Sequence, residues 1–193
     1  MKLPEVELIN DKTIRNETRK LVGEYPDYFW EVPAATTYRH HNPYCCDKYG
    51  LWIHTKMVCT AYLRMVPSLV HQDKITEYEA DCGLAACILH DSWKNGDGDG
   101  NNGAVQNHDI IAAKFIEQNS GLPSMVSDCV ASHMGPWYAG PEPKTTLEQL
   151  VHMADMSASS VNSTHGLYKP HDKIANYYPS IPRARFKRGG LYR

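Results

Sequence analysis

His90-Asp91 stands at the end of an apolar run, Cys87-Ile88-Leu89, and both of its side chains can do chemistry. An imidazole and a carboxylate at the buried end of a helix are costly to desolvate unless a partner compensates them. A divalent metal ion compensates both at once, since neutral imidazole and carboxylate are natural ligands of Zn, Mn and Fe. The dipeptide therefore predicts a metal site in the interior of the fold.

Further candidate ligands recur about once per predicted helix or helix end. With the dipeptide they make a set of six: His54, His90, Asp91, His108, His133 and Asp155. Helices of a bundle can project such side chains into a common interior. The spacing therefore predicts one metal centre to which several helices contribute.

The elements that must position these ligands are predicted to be helical. Apolar residues recur at helical intervals over about 11–22, 51–70, 76–90, 107–118, 123–133 and 145–159. Asp11 and Asn107 are expected to cap two of these helices, and Pro123 to be the first residue of another. Pro67 is expected to shorten or kink the second helix.

Strand signals are nearly absent, so the predicted fold is all-α, a single helical bundle with metal ligands on the inner faces of successive helices. A chain of 193 residues fits one domain. We expect residues 1–50 to form an N-terminal helix and a Pro- and aromatic-rich lead-in loop that packs on the domain. Residues 51–165 would be the helical core, and 166–193 a basic C-terminal tail.

The order of the six candidates, H…HD…H…H…D, resembles that of the HD-domain superfamily of metal-dependent phosphohydrolases. Gly50-Leu51-Trp52-Ile53-His54-Thr55 is similar to the start of the family's first-ligand helix, and Leu89-His90-Asp91-Ser92-Trp93-Lys94 to its HDxxK form. The segment 147–155 looks like the one that delivers the last aspartate. The spacing from His133 to Asp155 is similar to that in HD-type diadenosine tetraphosphate hydrolases, and the stretch 33–43 also resembles phage-encoded HD proteins.

The resemblance implies two divalent metal ions, from among Fe, Mn, Co, Ni and Zn. The first would be held by His54, His90, Asp91 and Asp155, and Asp91 would bridge to a second that is also held by His108 and His133. Lys94 follows Asp91 by one helical turn and would neutralise phosphate charge in the transition state. Asp91 and Lys94 are thus the candidate catalytic residues.

Residues near the predicted centre suggest how a substrate would bind. Arg39, His40 and His41 precede the first-ligand helix and are candidate phosphate contacts, as is Lys94. Trp137 is a candidate for stacking on a base or sugar, although packing under a loop explains it equally well. His152 lies three residues before Asp155 and could support a ligand, but we favour an ordinary, partly buried histidine.

The net charge of −2 is unevenly distributed. From residue 168 onward seven cations face one carboxylate, which leaves +6 on the tail and −8 on the rest. A basic tail can contact phosphates or nucleic acid, and a solvated tail packed on an acidic body is at least as good an interpretation. No apolar stretch approaches the ~20 residues that span a bilayer, and the charged N-terminus does not resemble a signal peptide. We therefore expect a cytoplasmic protein without a membrane partner.

A His/Asp two-metal site beside a lysine suits hydrolysis of a small phosphorylated, nucleotide-like substrate by metal-activated water. Three alternatives stay open. The HDxxK form also occurs in HD nucleases and cyclic-nucleotide phosphodiesterases. Some HD proteins are mixed-valent di-iron oxygenases with the same ligand order. A non-enzymatic module could use the metals structurally, but it would not need a reactive cation such as Lys94 beside them.

Overall fold

The computed structural model describes residues 2–36, 39–96, 100, 103–137 and 140–163, so the basic tail 166–193 lies outside the described residues. Within them the chain forms six α-helices, and no strand occurs. They are α1 (Lys12–Gly23), α2 (Gly50–His71), α3 (Glu77–Leu89), α4 (His108–Asn119), α5 (Ser124–Ser132) and α6 (Thr146–Ser159). Short 3-10 turns cover Pro4–Leu8, Asp27–Trp30, Pro43–Cys45 and Gly135–Trp137. The all-α prediction is confirmed.

Three of the six helices begin with a side-chain cap. The carboxylate of Asp11 accepts hydrogen bonds from the backbone N–H groups of Thr13 and Ile14 at the start of α1. Thr76 and Glu79 form a reciprocal capping box on α3, and Thr145 caps α6. These caps satisfy backbone donors that have no partner within the helix.

Asn107 is the N-cap residue of α4 as expected, but the boundary expectations fail in three details. The side chain of Asn107 makes no capping hydrogen bond, because its backbone (φ −117°, ψ 26°) lacks the extended conformation that an N-cap residue adopts. Pro123 precedes α5 as its N-cap residue and is not its first helical residue. Pro67 does not end α2, which continues to His71. It lies on the exposed face of the helix, where water can satisfy the carbonyl that proline leaves without a donor.

Helix α3 is the central element of the bundle. It packs against α1, α2, α5 and α6, and every residue from 81 to 89 is buried. Because a helix that is buried on all sides is apolar all round, α3 shows little amphipathic periodicity. It approaches α2 closely at Gly83, where a Cβ would collide with the hydroxyl group of Tyr62. The C-terminal end of α3 therefore carries His90-Asp91 into the middle of the bundle.

The described part of the chain contains no helix that is both long enough and apolar enough to cross a membrane. All six cysteines are free thiols, and five of them are buried.

The N-terminal segment packs on α2 through a buried ion pair. The ammonium of Lys56 lies 2.5 Å from Oε1 of Glu5, and the two side chains are 1% and 5% exposed. Nearby, the indole N–H of Trp52 donates to the backbone carbonyl of Lys2. Because Lys56 is two residues after the candidate ligand His54, this contact fixes the helix beside the predicted metal centre.

We expect Lys56→Met to lower the free energy of unfolding by about 3–5 kcal/mol, because it leaves the buried carboxylate of Glu5 without its cation. Urea unfolding followed by tryptophan fluorescence measures the change. Lys48→Met is the matched control. The ammonium of Lys48 lies 3.8 Å from a carboxylate oxygen of Glu31, and both side chains are more than half exposed. Loss of this pair should therefore lower the free energy of unfolding by less than about 1 kcal/mol. Equal effects of the two substitutions would contradict the prediction.

Candidate metal centre and substrate cavity

The six candidate ligands meet in the interior of the bundle, and each of them is at most 3% exposed. Helix α2 carries His54, and α6 carries Asp155. His90-Asp91 follows α3, His108 begins α4, and His133 follows α5. Five helices thus contribute to one cluster, as the spacing along the chain predicts.

Four side chains form what we call the first subsite: His54, His90, Asp91 and Asp155. The Nε2 atoms of His54 and His90 are 3.4 Å apart. They lie 3.7 Å and 3.4 Å from Oδ2 of Asp91. The distances from Oδ1 of Asp155 to the same two nitrogens are 3.0 Å and 3.9 Å. Two imidazoles and two carboxylates therefore converge on one point.

The second subsite consists of Asp91, His108 and His133. Here the other carboxylate oxygen is used, since Oδ1 of Asp91 lies 3.2 Å from Nε2 of His108 and 3.6 Å from Nε2 of His133. Each oxygen of Asp91 thus faces a different pair of imidazoles. The same carboxylate belongs to both subsites, which is the arrangement expected of a bridging ligand.

These separations are those of atoms that share a metal ion. Ligands at about 2.1 Å from a tetrahedral ion lie roughly 3.4 Å from one another. The ligand atoms of His54, His90 and Asp91 are all within 4.8 Å of one another, and so are those of Asp91, His108 and His133. Each buried His/Asp group could therefore hold a metal ion.

Backbone carbonyls orient three of the four histidines. Nδ1 of His90 is 2.9 Å from the carbonyl oxygen of Cys87, and the rings of His108 and His133 meet the carbonyls of Val105 and Val130 in the same way at 2.9 Å and 2.6 Å. A carbonyl oxygen only accepts, so each Nδ1 carries the proton. In the neutral ring Nε2 then presents a lone pair, which is the state that a metal ligand needs.

Two buried acceptor atoms in the cluster have no hydrogen-bond donor. Among the described residues, Oδ1 of Asp91 and Nε2 of His133 are buried and make no hydrogen bond. Both are acceptors, so they cannot satisfy each other, and a buried acceptor without a donor is unfavourable. A cation between them removes the conflict, so the donor set fits a metal ion.

Burial sets the charge state of the imidazoles. Desolvation lowers the pKa of His54 and His133 and brings that of His41 to about 3. Burial alone would also lower the pKa of His90, but the adjacent Asp91 carboxylate raises it above its usual value. Although desolvation favours the neutral carboxyl, Lys94 and His90 hold the pKa of Asp91 well below its ordinary value. The shifts therefore favour neutral imidazoles at His54 and His133 beside the ionised carboxylate that the two subsites share.

These shifts predict that the metal-free protein loses stability as the pH falls from 7 to 5. His41, His54 and His133 have folded-state pKa values below the unfolded value of about 6.5. The unfolded chain therefore binds more protons below that pH, and stability falls as protons are added. The raised pKa of His90 acts in the opposite direction, so the expected fall in stability is the balance of three histidines against one.

We expect the free energy of unfolding to decrease over this range, measured by urea titration in EDTA. His41→Asn removes one of the three histidines, so its pH dependence should be shallower. A stability that is flat or rises towards pH 5 would contradict the prediction.

Lys94 lies beside the bridging carboxylate. Its ammonium is 2.6 Å from Oδ2 of Asp91, and the side chain is 11% exposed. It also lines a cavity that opens onto the cluster. In the sequence Lys94 follows Asp91 by one turn. This spacing brings its ammonium to the edge of the cluster, towards the cavity.

A cavity of about 880 Å³ opens onto the cluster. Asp155, His108 and Lys94 form part of its wall on the side of the candidate ligands. All four residues named from the sequence as substrate contacts beyond Lys94 also line it: Arg39, His40, His41 and Trp137. Sequence reasoning thus identified residues that share one cavity, although it did not show which of them contact a substrate.

Within this group the residues differ in accessibility. Arg39 and His40 are exposed, and Trp137 exposes 71% of its surface. His41 is deeper, with its ring centroid 5.1 Å from that of His54, and neither of its nitrogens makes a hydrogen bond among the described residues. The exposed side chains of Arg39, His40 and Trp137 can reach a ligand at the entrance, whereas His41 lies against the first subsite.

Two features of the site were missed or undervalued at the sequence level. Apolar side chains dominate the rest of the cavity wall, among them Ala34, Met134 and Met156, and no motif marks them. His152 is partly buried and donates through Nδ1 to the backbone carbonyl of His133 at 2.6 Å, which agrees with the favoured interpretation of a satisfied histidine and adds a contact with a candidate ligand. Its spacing of three residues from Asp155 was the available signal.

Comparison of the chain with protein-family models, with curated proteins and with solved structures finds no match.

Proposed function

We propose that this chain is an HD-type, metal-dependent phosphohydrolase that cleaves a phosphate ester or anhydride of a nucleotide-like small molecule. The observation that carries the proposal is the pair of His/Asp subsites that share Asp91, with Lys94 on the bridging carboxylate and a cavity on the same side. The ligand order along the chain, which resembles that of the HD superfamily, supports it.

Two divalent cations would be held by the six ligands, one in each subsite. When bound, they would supply an activated water and a clamp for the phosphoryl oxygens. The protein side chains prepare this arrangement in two ways. The Nδ1 hydrogen bonds of His90, His108 and His133 keep each Nε2 aimed inwards, and burial keeps His54 and His133 neutral.

Lys94 supplies the protein's own cation for the phosphate. Its ammonium is held within hydrogen-bond distance of Asp91 and faces the cavity, so it can also meet an oxygen of a phosphoryl group placed at the subsites. Charge on that oxygen increases in the transition state, and a fixed cation in a buried site stabilises it without reorganisation. Arg39 and His40, at the cavity wall, are placed to bind further phosphates.

The cavity supports a substrate larger than phosphate alone. Its volume of about 880 Å³ is within the range of small-molecule sites. Ala34 and Ala35 lie along its wall with Met134, Met156 and the exposed indole of Trp137. An apolar wall with an aromatic ring favours a flat, weakly polar group such as a nucleobase, while the phosphate would lie beside the two subsites.

The proposal is tested by elemental analysis of the purified protein, followed by a phosphate-release screen over nucleotides with each of Fe, Mn, Co, Ni and Zn. We expect two metal ions per chain and release that is abolished by a chelator and restored by metal. Two metals per chain without release from any nucleotide would overturn the phosphohydrolase. In that case, oxygen consumption by a reduced, iron-loaded sample would identify a di-iron oxygenase instead.

The same screen separates the nuclease alternative. Single-stranded DNA and a cyclic nucleotide are added as substrates beside the mononucleotides. Cleavage of the DNA or of the cyclic nucleotide, without phosphate release from mononucleotides, would overturn the small-molecule phosphohydrolase. The chain would then be a nuclease or a cyclic-nucleotide phosphodiesterase. A chain truncated after Gly166 then shows whether the basic tail contributes, because loss of phosphate contacts weakens binding to a polymer more than to a mononucleotide.

A further inference from the structure

His152 contacts a ligand of one subsite from the helix that carries a ligand of the other. It lies on α6, one turn before Asp155 of the first subsite. Its Nδ1 is 2.6 Å from the backbone carbonyl oxygen of His133, in the second subsite. Since a carbonyl only accepts, His152 is the donor, and its neutral or charged ring carries a proton on Nδ1.

The carbonyl that His152 binds is one that the helix leaves without an internal donor. Helix α5 ends at Ser132, and His133 is its C-cap residue. The last carbonyls of a helix need a donor from outside. The side chain of His152 supplies that donor to the very residue whose ring is a metal ligand.

The turn after His133 is shaped to admit this ring. Gly135 has φ +55°, and a Cβ there would lie 2.9 Å from Cε1 of His152. A residue other than glycine would be strained in this conformation and would also collide with the imidazole. The tight turn and the ring thus fit together on one side of His133.

The ring of His133 is therefore fixed by two hydrogen bonds that act at different points. Its own Nδ1 binds the carbonyl of Val130 at 2.6 Å, which sets the direction of Nε2 relative to α5. His152 holds the backbone of His133 relative to α6, and hence relative to Asp155. Removing the second bond would leave the ring correctly turned on a backbone that is free to shift.

We propose that His152 is a positioning residue for the second metal, holding His133 at the distance from Asp91 that the second subsite requires. The inference rests on the proposed function, because it presupposes that both subsites bind metal. It also assigns α6 two roles, a direct ligand for the first metal through Asp155 and the placement of a ligand for the second through His152.

The test is a titration of metal-free protein with Co²⁺ by equilibrium dialysis and visible absorption, which report the number of ions and their coordination. His152→Ala should weaken binding of the second Co²⁺ by about 10- to 100-fold, while the affinity for the first stays unchanged. Circular dichroism and a thermal melt of the same samples establish that the variant is folded. Met153→Ala, at an exposed neighbouring position of α6, is the matched control and should bind both ions as the wild type does.

Two conservative variants separate positioning from bulk. The side-chain amide of Asn places an N–H near the position of Nδ1, so His152→Asn should restore the second affinity. His152→Gln places its amide farther out, near Nε2, and should not restore it. Equal weakening by Asn and Gln would overturn the proposal, and so would equal loss of both metals in His152→Ala.

The outcomes also distinguish this inference from the proposed function. A wild-type protein that binds two Co²⁺ ions, with a His152→Ala variant that binds them equally well, overturns the role of His152 alone. A wild-type protein that binds fewer than two overturns the two-metal site and this inference with it. Phosphate release by the wild type is a separate measurement and does not enter the titration.

Discussion

Asp91→Asn is expected to abolish the binding of both metals and to lower the rate of phosphate release by about 10³-fold or more. The two oxygens of this carboxylate face different subsites, at 3.4 Å from Nε2 of His90 and 3.2 Å from Nε2 of His108. Asparagine keeps the shape but has no charge and only one oxygen, so both subsites lose an anionic ligand and one of them meets an N–H group instead. A two-metal clamp supplies several kcal/mol of transition-state stabilisation, and about 4 kcal/mol corresponds to 10³ in rate.

Elemental analysis and a phosphate-release assay on the same preparation check this result. Asp81→Asn is the control, because Asp81 is also buried on α3 and its carboxylate accepts hydrogen bonds from the backbone of Asn10 and Asp11. It should destabilise the fold but retain both metals. An Asp91→Asn protein that still carries two metals, or that retains a tenth of the wild-type rate, would contradict the bridging role.

The helices and the membership of the cluster could be predicted from sequence because both depend on local features. Helical intervals of apolar residues indicate all six helices, and Asp11 caps the start of α1 as the sequence predicts. Each ligand lies on an apolar helix or at its end, where only the bundle interior is available to it. His54 on α2 and Asp155 on α6 therefore had to converge once the bundle formed.

What the sequence could not show is how the ligands divide between subsites. That Oδ2 of Asp91 faces His90 while Oδ1 faces His133 depends on the packing of α3 against α5, and no local pattern encodes it. The contact of His152 with the carbonyl of His133 likewise joins residues on different helices. The same holds for Glu5 and Lys56, 51 positions apart. Charged residues in a helical pattern normally indicate a solvated face, and only the docked N-terminal segment makes this pair internal.

The electrostatics of the cluster also follow from packing. A histidine in a sequence has a pKa near 6.5, and its environment decides the rest. Burial lowers the pKa of His54 and His133, whereas the Asp91 carboxylate raises that of His90. The difference between chemically identical side chains arises from their buried surroundings and neighbouring charges, which only the folded chain defines.

Lys94→Met is expected to lower kcat for phosphate release by about 10²- to 10³-fold while both metals remain bound. The ammonium of Lys94 lies 2.6 Å from Oδ2 of Asp91 at the cavity wall. Removing a cation beside two candidate dication sites relieves like-charge repulsion, so metal affinity should stay the same or increase. The loss then falls on the transition state, where one fixed donor to a developing anion contributes about 10²–10³ in rate.

Steady-state kinetics with parallel metal analysis separate these effects. Lys114→Met, at an exposed position of α4, is the matched control and should leave both kcat and metal content unchanged. Lys94→Arg keeps the charge with a different shape and should retain an intermediate rate, since a planar guanidinium does not replace a compact ammonium without loss. A Lys94→Met protein with full metal content and an unchanged kcat would show that the lysine only balances the charge of Asp91, and that the phosphate is stabilised by the metal cluster alone.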